Sequence, residues 1–456
     1  MYDLLILGGG PAGYNAAERA SHAGLSTVVF EGRALGGVCL NEGCIPSKAL
    51  LNSAGIYYAA QHGEAFGVFT QDISLDHGKV IAHKNKVVKT LVAGIRSSLK
   101  GAGATVVKEQ AEILGREADG TFRVQAGGTA YEGKRLLVCT GSMPTLPPIP
   151  GLKEALDAGF AITNREVLDL TAVPARLVIV GGGVIGLEMA QYYAVAGSKV
   201  TVVEMLPHVG GPIDPDMSDV LQKELEHKGV EFLLSTQVTS FGVASVLVKE
   251  GDSEREIACD AALVSIGRRP VTAGYGLEKL GVLLERGAIV TDDYMRTSVA
   301  GVWAAGDVNG RSMLAHTAYR EGEVAVADML GQRTRMRYDA IPAVIYTKPE
   351  VGMVGLTEQA AKDAGYDVVV TKLPMQYSGR YVAEVERGTG FCKLVFDKVT
   401  TRLLGAHLIG NYASEIIHGA AILVEGEYRV HDIRQLVYPH PTVSEIIREA
   451  AFACPL

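Results

Sequence analysis

Two thiols and an imidazole are the residues whose types and spacing suggest chemistry in this chain. Cys39 and Cys44 lie five positions apart in the stretch from Gly36 to Leu51, and Pro46 follows the second. Proline is tolerated in the first turn of a helix but not deep inside one. This predicts that Cys44 sits at or near a helix N-terminus, where backbone N–H groups and the helix dipole favour a thiolate. A disulfide here would close a small ring and act as a weak staple, worth about 2 kcal/mol on chain entropy. Two thiols set side by side for so little stability suit a redox switch. Two other readings stand beside it. Zinc takes four ligands, and this window offers two Cys and no His. Inert core thiols are common, because free Cys behaves as a small hydrophobe.

A redox dithiol needs a base, since the thiolate rather than the thiol attacks a disulfide. The segment Tyr438 to Glu445 supplies His440 between two prolines, with Glu445 further on. Imidazole titrates in the useful range, and a carboxylate on its other nitrogen fixes tautomer and basicity. Thr442-Val443-Ser444-Glu445 is also a capping box for a helix over Glu445–Phe452. Spacing alone leaves Glu445 divided between orienting acid and cap.

The elements that must position these groups announce themselves by repetition. Leu4–Leu7 reads as a buried parallel strand running into Gly8, Gly10 and Gly13. A helix to about Ala23 follows, then a strand Ser26–Phe30 ending at Glu31. Strand, G-x-G-x-x-G, helix, strand, acid is the dinucleotide fingerprint in its required context. The glycines let backbone approach a pyrophosphate at the helix N-terminus, and the acid accepts from a ribose hydroxyl. The pattern returns with strand Leu177–Val180, Gly181, Gly183 and Gly186, a helix, and strand Lys199–Val203 ending at Glu204. From first glycine to acid the offset is 23 residues in both copies. A strand-to-glycine element also recurs, as Leu137–Gly141 and Leu263–Gly267. Two complete fingerprints imply two dinucleotides. At the second, the Glu204 carboxylate accepts from the 2′-hydroxyl of NAD and repels the 2′-phosphate of NADP.

The rest of the chain frames these sites. Its 456 residues suggest about three domains. Glycine, at 54 residues, exceeds the usual ~7% and points to many tight turns. A net charge of −8 with interspersed signs gives no reason to expect nucleic acid or an anionic membrane surface. Arg333, Arg335 and Arg337 read as a solvated loop. Met1-Tyr2-Asp3 leads straight into a strand, which leaves no room for a signal peptide. No stretch has the ~18 consecutive apolar residues of a membrane span. Six cysteines in so long a chain make no disulfide scaffold and point to a reducing cytosol. Lys79–Leu99 reads as an amphipathic packing helix, and Cys139 as a core residue. Short strands are expected near Thr105–Ile113 and Thr121–Val124, and Pro147, Pro148 and Pro150 mark a domain boundary.

The Cys39–Cys44 stretch resembles, nearly letter for letter, the redox-disulfide signature of the pyridine nucleotide-disulfide oxidoreductases. Its departures are Val38, where Thr is common, and Glu42, where an apolar residue is frequent. The resemblance extends over essentially the whole chain: Val302-Trp303-Ala304-Ala305-Gly306-Asp307 matches the family's second flavin motif, and Ile341–Gly355 resembles the opening of its dimerisation domain. It implies an α/β fold of two Rossmann-like dinucleotide-binding domains, for FAD and NAD, plus a C-terminal α+β interface domain. The segments would be 1–147 (FAD, with the redox pair), 148–270 (NAD), 271–340 (return to the FAD domain) and 341–456 (interface). The FAD site would use Gly8, Gly10, Gly13, Glu31, Lys48, Thr140, Gly141, Asp307 and Ala315, with Asp307 on the ribityl chain. The NAD site would use Gly181, Gly183, Gly186, Glu188, Glu204 and Gly267. Lys48 and Glu188 resemble an ion pair beside the flavin; read without the resemblance, each is an exposed helix charge. His316 is assigned no chemistry, and no metal is expected.

The branch of the family most similar to this chain reoxidises protein-bound dihydrolipoamide with NAD⁺. By that resemblance Cys39 and Cys44 form a redox disulfide, Cys39 is the outer exchange thiol, and Cys44 lies against the flavin. His440 takes the proton and Glu445 holds His440, with His440 of one subunit serving Cys39 of the other in a homodimer. Tyr438 stands where many relatives have His. The expected partner is a lipoyl-bearing carrier of a 2-oxoacid dehydrogenase or glycine cleavage complex, on a separate chain. Glutathione reductase shares the Cys spacing but normally uses NADP, and mercuric reductase would want a C-terminal Cys pair where only Cys454 is present. A flavoprotein that senses redox state without turnover is a further alternative.

Overall fold

A computed structural model describes residues 1–456 in two compact units. The first comprises Met1–Ala49, Ile81–Thr145 and Gly267–Arg337; the second comprises Leu50–Val80, Leu146–Ile266 and Tyr338–Leu456.

In the first unit Leu4–Leu7 forms a strand with every residue buried. It pairs in parallel with Thr27–Phe30 on one side and Leu136–Val138 on the other. Thr105–Val107 and Val302–Ala304 complete a five-stranded sheet. Unbroken apolar strands are what a parallel sheet covered on both faces demands. Leu5, Leu7, Val28, Phe30, Leu136 and Val302 form its core together with Phe122 and Val124 of a three-stranded antiparallel sheet over residues 111–133.

The second unit repeats this plan and adds to it. Arg176–Val180 lies between Lys199–Val203 and Ala261–Val264, all parallel, flanked by Val230–Leu233 and Ala161–Ile162. Here too a three-stranded antiparallel sheet, over residues 236–258, packs on the strands through Val238, Val246 and Val248. The duplication is therefore wider than the fingerprint: each copy carries its own antiparallel sheet, although the only short strands expected from sequence were those of the first. From Ala343 onward the texture changes. Five antiparallel strands, from Ala343–Ile345 to Leu403–Gly410, form a sheet covered by the helices Ala413–Glu425 and Glu445–Ala453.

The long helix expected over Lys79–Leu99 spans His77–Ala102. Cys139 is buried, as read. Arg333, Arg335 and Arg337 lie exposed in an irregular segment. No helix is long and apolar enough to cross a membrane.

Candidate active site

Cys39 lies in the short helix Gly37–Glu42, and Cys44 opens the helix Cys44–Gln61. Pro46 sits in the first turn of that helix, where its missing N–H costs nothing. Gly43 breaks the backbone between the two helices at φ −154°, ψ −113°, and so brings the thiols together. Both cysteines are thiols, and Cys39 is hydrogen-bonded to Cys44. That hydrogen bond, then burial, holds the Cys39 thiol well above its ordinary range, while nearby Lys48 pulls the other way. In the chain alone Cys44 is exposed and Cys39 half-buried, and the short helix carrying Cys39 starts close to the first helix: a Cβ on Gly37 would lie 2.7 Å from the Gly10 Cα.

The two nucleotide cradles match atom for atom. Gly8 and Gly181 take φ of +101° and +104°, open to glycine but strained for other residues. A Cβ on Gly13 would sit 1.9 Å from the Gly8 oxygen, and one on Gly186 2.2 Å from the Gly181 oxygen. Glu31 accepts the Gly9 and Arg33 N–H groups, both at 2.8 Å. Glu204 accepts those of Gly182 (2.6 Å) and Leu206 (2.8 Å). Gly183, Gly141 and Gly267 face open space. Bare glycines, helix N-termini and a carboxylate with lone pairs to spare fit a dinucleotide in each cradle.

Other predicted residues fall into supporting roles. Asp307 accepts the Ser142 hydroxyl, and the Arg268 Nε donates to that same hydroxyl at 2.8 Å. The Thr140 hydroxyl is engaged by the Val271 carbonyl at 2.6 Å, so this side chain ties loops together. Ala315 is the first residue of the helix Ala315–Met329, where the backbone N–H groups have no intrahelical acceptor. Lys48 donates to the Ser47 hydroxyl at 3.3 Å. Glu188 is no exposed helix charge: it is 3% exposed and accepts the Tyr346 N–H at 3.1 Å. Its helix, Val184–Val195, is buried over nearly all of its length, which the charge itself concealed.

Sequence reading missed Ser142, Arg268 and Glu321. The first two directly follow the recurring glycines Gly141 and Gly267, and that recurrence was the available signal. Glu321 is fully buried and accepts the N–H of Gly306, the residue before Asp307, at 2.6 Å. Glu321→Ala leaves that buried N–H unpaired and is expected to cost about 1–3 kcal/mol. Glu321→Gln retains an acceptor and should recover much of the loss. Urea unfolding checks this; a midpoint for the Ala variant equal to the wild type would show that the bond contributes nothing.

At the other end of the chain His440 is 77% exposed, with Nδ1 2.9 Å from the Glu445 Oε1 and 3.2 Å from Oε2. With Nδ1–H donating to the carboxylate, Nε2 is left as the proton acceptor. Glu445 Oε2 also accepts the Thr442 N–H at 2.9 Å. This is half of the capping box; the Thr442 hydroxyl instead donates to the Pro439 carbonyl. Glu445 thus serves imidazole and helix start together. The Thr442 N–H foremost, with the His440 ring adding to it, holds its carboxyl below the ordinary range. Tyr438 packs against the core of the C-terminal sheet, and burial pushes its phenol up to about 12.

Comparison with known proteins agrees with this arrangement. Residues 2–322 match the family model "pyridine nucleotide-disulphide oxidoreductase", and residues 341–451 match the dimerisation domain of the same family. A dihydrolipoyl dehydrogenase of Trypanosoma brucei brucei is 39% identical, with 99% of this chain and 96% of that protein covered. Mitochondrial dihydrolipoyl dehydrogenase 1 of Arabidopsis thaliana is 37% identical over 99% of this chain and 90% of its own. Among solved structures, LpdA of Mycobacterium tuberculosis superposes with a TM-score of 0.89 at 30% identity, over 99% of both chains. A HOCl-induced flavoprotein disulfide reductase of Escherichia coli gives 0.86 at 28%, over 99% of this chain and 100% of that one.

Proposed function

Because the chain belongs to the pyridine nucleotide-disulphide oxidoreductases, we propose that it is a dihydrolipoyl dehydrogenase, which reoxidises protein-bound dihydrolipoamide with NAD⁺ by way of FAD. The observation that carries this reading is a hydrogen-bonded thiol pair on a chain that also holds two preformed dinucleotide cradles and a His–Glu dyad.

The residues divide the work. The oxidised Cys39–Cys44 pair accepts attack by a dihydrolipoamide thiolate at the Cys39 sulfur, and the Cys44 sulfur leaves as thiolate. The second dihydrolipoamide thiol loses its proton to the His440 Nε2, while Glu445 holds the ring and stabilises the imidazolium. That thiol closes the lipoamide disulfide and releases Cys39, so two electrons now rest on the cysteine pair. Lys48 offsets the negative charge that gathers there. Bound flavin supplies the two-electron carrier between this pair and the nicotinamide. Gly8, Gly10, Gly13, Glu31, Thr140, Gly141, Asp307 and Ala315 hold the flavin dinucleotide; Gly181, Gly183, Gly186, Glu204 and Gly267 hold NAD. The assignment further implies segments 1–147, 148–270, 271–340 and 341–456, a homodimer, a separate lipoyl carrier protein and a cytosolic home.

Steady-state turnover of dihydrolipoamide with NAD⁺ tests the function; a purified, flavin-loaded protein that reduces neither lipoamide nor NAD⁺ would refute it. Cofactor choice has its own test. Two of the roughly four lone-pair sites on Glu204 take backbone N–H groups, which leaves acceptors for a ribose 2′-hydroxyl. Glu204→Ala is expected to weaken NAD binding by about 1–3 kcal/mol and to narrow the preference over NADP. A wild-type protein that already uses both coenzymes equally would sink this role for Glu204.

A further inference from the structure

A row of buried charge in the C-terminal sheet takes no part in the thiol chemistry. Lys393 lies on the strand Phe391–Asp397, every residue of which is buried. Its cross-strand neighbours are Lys372 on one side and His407 on the other, so the three side chains share one face of the sheet. Two lysines directly opposite each other repel unless something answers them. Carboxylates do so here. The Lys393 Nζ lies 2.9 Å from Asp214, 3.2 Å from Asp216 and 3.3 Å from Glu358, and the Lys372 Nζ lies 3.0 Å from Asp216. Asp214 is buried as deeply as Lys393. Apolar side chains of similar volume would stabilise this junction as well or better; a buried ion pair instead fixes where Asp214 must lie.

Asp214 ends the loop 205–214, which begins directly after Glu204. Its side chain also caps the helix Pro215–Glu226, accepting the Asp216 N–H at 3.1 Å. In the first turn of that helix the buried Ser218 hydroxyl donates to the Val209 carbonyl at 2.8 Å and accepts the Val209 N–H at 3.0 Å. The next residue, Gly210, donates its N–H to the Gly182 carbonyl at 2.8 Å. Gly182 is the middle glycine of the second cradle, and its own N–H is held by Glu204. An unbroken series of bonds thus runs from Lys393 to the glycine turn. The first cradle has the same anchor. Gly36 donates to the Gly9 carbonyl at 2.8 Å, and the double glycines Gly36-Gly37 and Gly210-Gly211 all take positive φ. In the first copy this anchor leads into the helix carrying Cys39; in the second it leads to Asp214 and Lys393. We propose that Lys393 is a positioning residue for NAD: through Asp214 it holds the loop 205–214 against the second glycine turn and so sets that cradle's affinity for the coenzyme. The inference rests on the second cradle being the NAD site.

The test separates position from stability. Lys393→Met alone strands the buried Asp214 charge and is expected to unfold readily. Lys393→Met combined with Asp214→Asn removes both charges, and Asn keeps the helix cap. Asp216 and Glu358 retain Lys372 and Lys362 as partners. The flavin-loaded double variant should therefore melt near the wild type. Its NAD⁺ affinity, measured by isothermal titration calorimetry, is expected to fall about two- to thirtyfold, the range over which a residue remote from a ligand moves its binding. Hydrogen exchange read by mass spectrometry should quicken in the peptide spanning 205–214. Reduction of the bound flavin by dihydrolipoamide without NAD⁺ should keep its wild-type rate. A merely structural cluster predicts a double variant that recovers NAD⁺ affinity along with stability, and that result overturns the proposal. Quicker exchange in the loop at unchanged affinity overturns it as well, and so does a slowed flavin reduction. Should the double variant not fold, Asp214→Asn alone decides, because it leaves Lys393 two carboxylates. Its NAD⁺ affinity should fall about twofold or more, and wild-type affinity there overturns the proposal. The NAD reading fails separately, by a wild-type protein that binds no NAD⁺.

Discussion

Cys39→Ser is expected to lower dihydrolipoamide-dependent reduction of NAD⁺ by roughly 10³-fold or more, the scale seen when a covalent group is removed. A serine oxygen cannot form a disulfide, and the electron path from substrate needs that bond to form and break. The substitution is otherwise mild: Cys39 is half-buried, on a six-residue helix, and the hydroxyl is close in size to the thiol. Protein content, flavin absorbance and thermal melting should therefore stay near wild type while turnover disappears. A variant retaining more than a tenth of the activity would mean that another group accepts the electrons.

His440→Gln is the second large effect. Gln can still reach Glu445 with an amide N–H, but it cannot take a proton, and kcat should fall by roughly 10²–10⁴-fold. The same variant locates the base. Cys39→Ser and His440→Gln are each expected to be nearly inactive alone. If a two-fold dimer builds each site from Cys39 of one subunit and His440 of the partner subunit, a heterodimer of the two variants holds one intact site and one doubly damaged site. Random pairing makes half of the dimers mixed, so about a quarter of wild-type activity should return on co-expression. Mixed dimers isolated through two affinity tags and still inactive would refute the shared site.

How much of this could be read from the chain depended on how local the governing physics is. Leu4–Leu7, Lys199–Val203, the glycine turns and the acids at Glu31 and Glu204 obey rules that act within about thirty residues, and they stand where expected. Cys44 opening a helix follows from Pro46 alone. The failures lie where distant elements decide. Glu188 looked like a surface charge, but its helix packs on nearly every side. Glu321 is silent for the same reason: its acceptor role appears only when the helix Ala315–Met329 meets the turn at Gly306. Glu445 was ambiguous between two roles because one carboxylate performs both.

The carboxylates Glu31 and Glu204 have a kinetic meaning as well. Each is tied to the N–H of the middle glycine of its own turn, Gly9 or Gly182, by a bond that needs no nucleotide. The turns are thus fastened shut before anything binds, and a coenzyme meets a finished socket. Association should then be a single-step event whose rate scales linearly with coenzyme concentration, without the plateau that a slow loop rearrangement imposes. Slow amide exchange at Gly9 and Gly182 in the nucleotide-free chain is the matching signature, and fast exchange there would show that the fastening opens on its own. A socket that never has to remodel also lets oxidised and reduced nicotinamide trade places quickly, which suits an enzyme that must discharge its product as fast as its thiols are reduced.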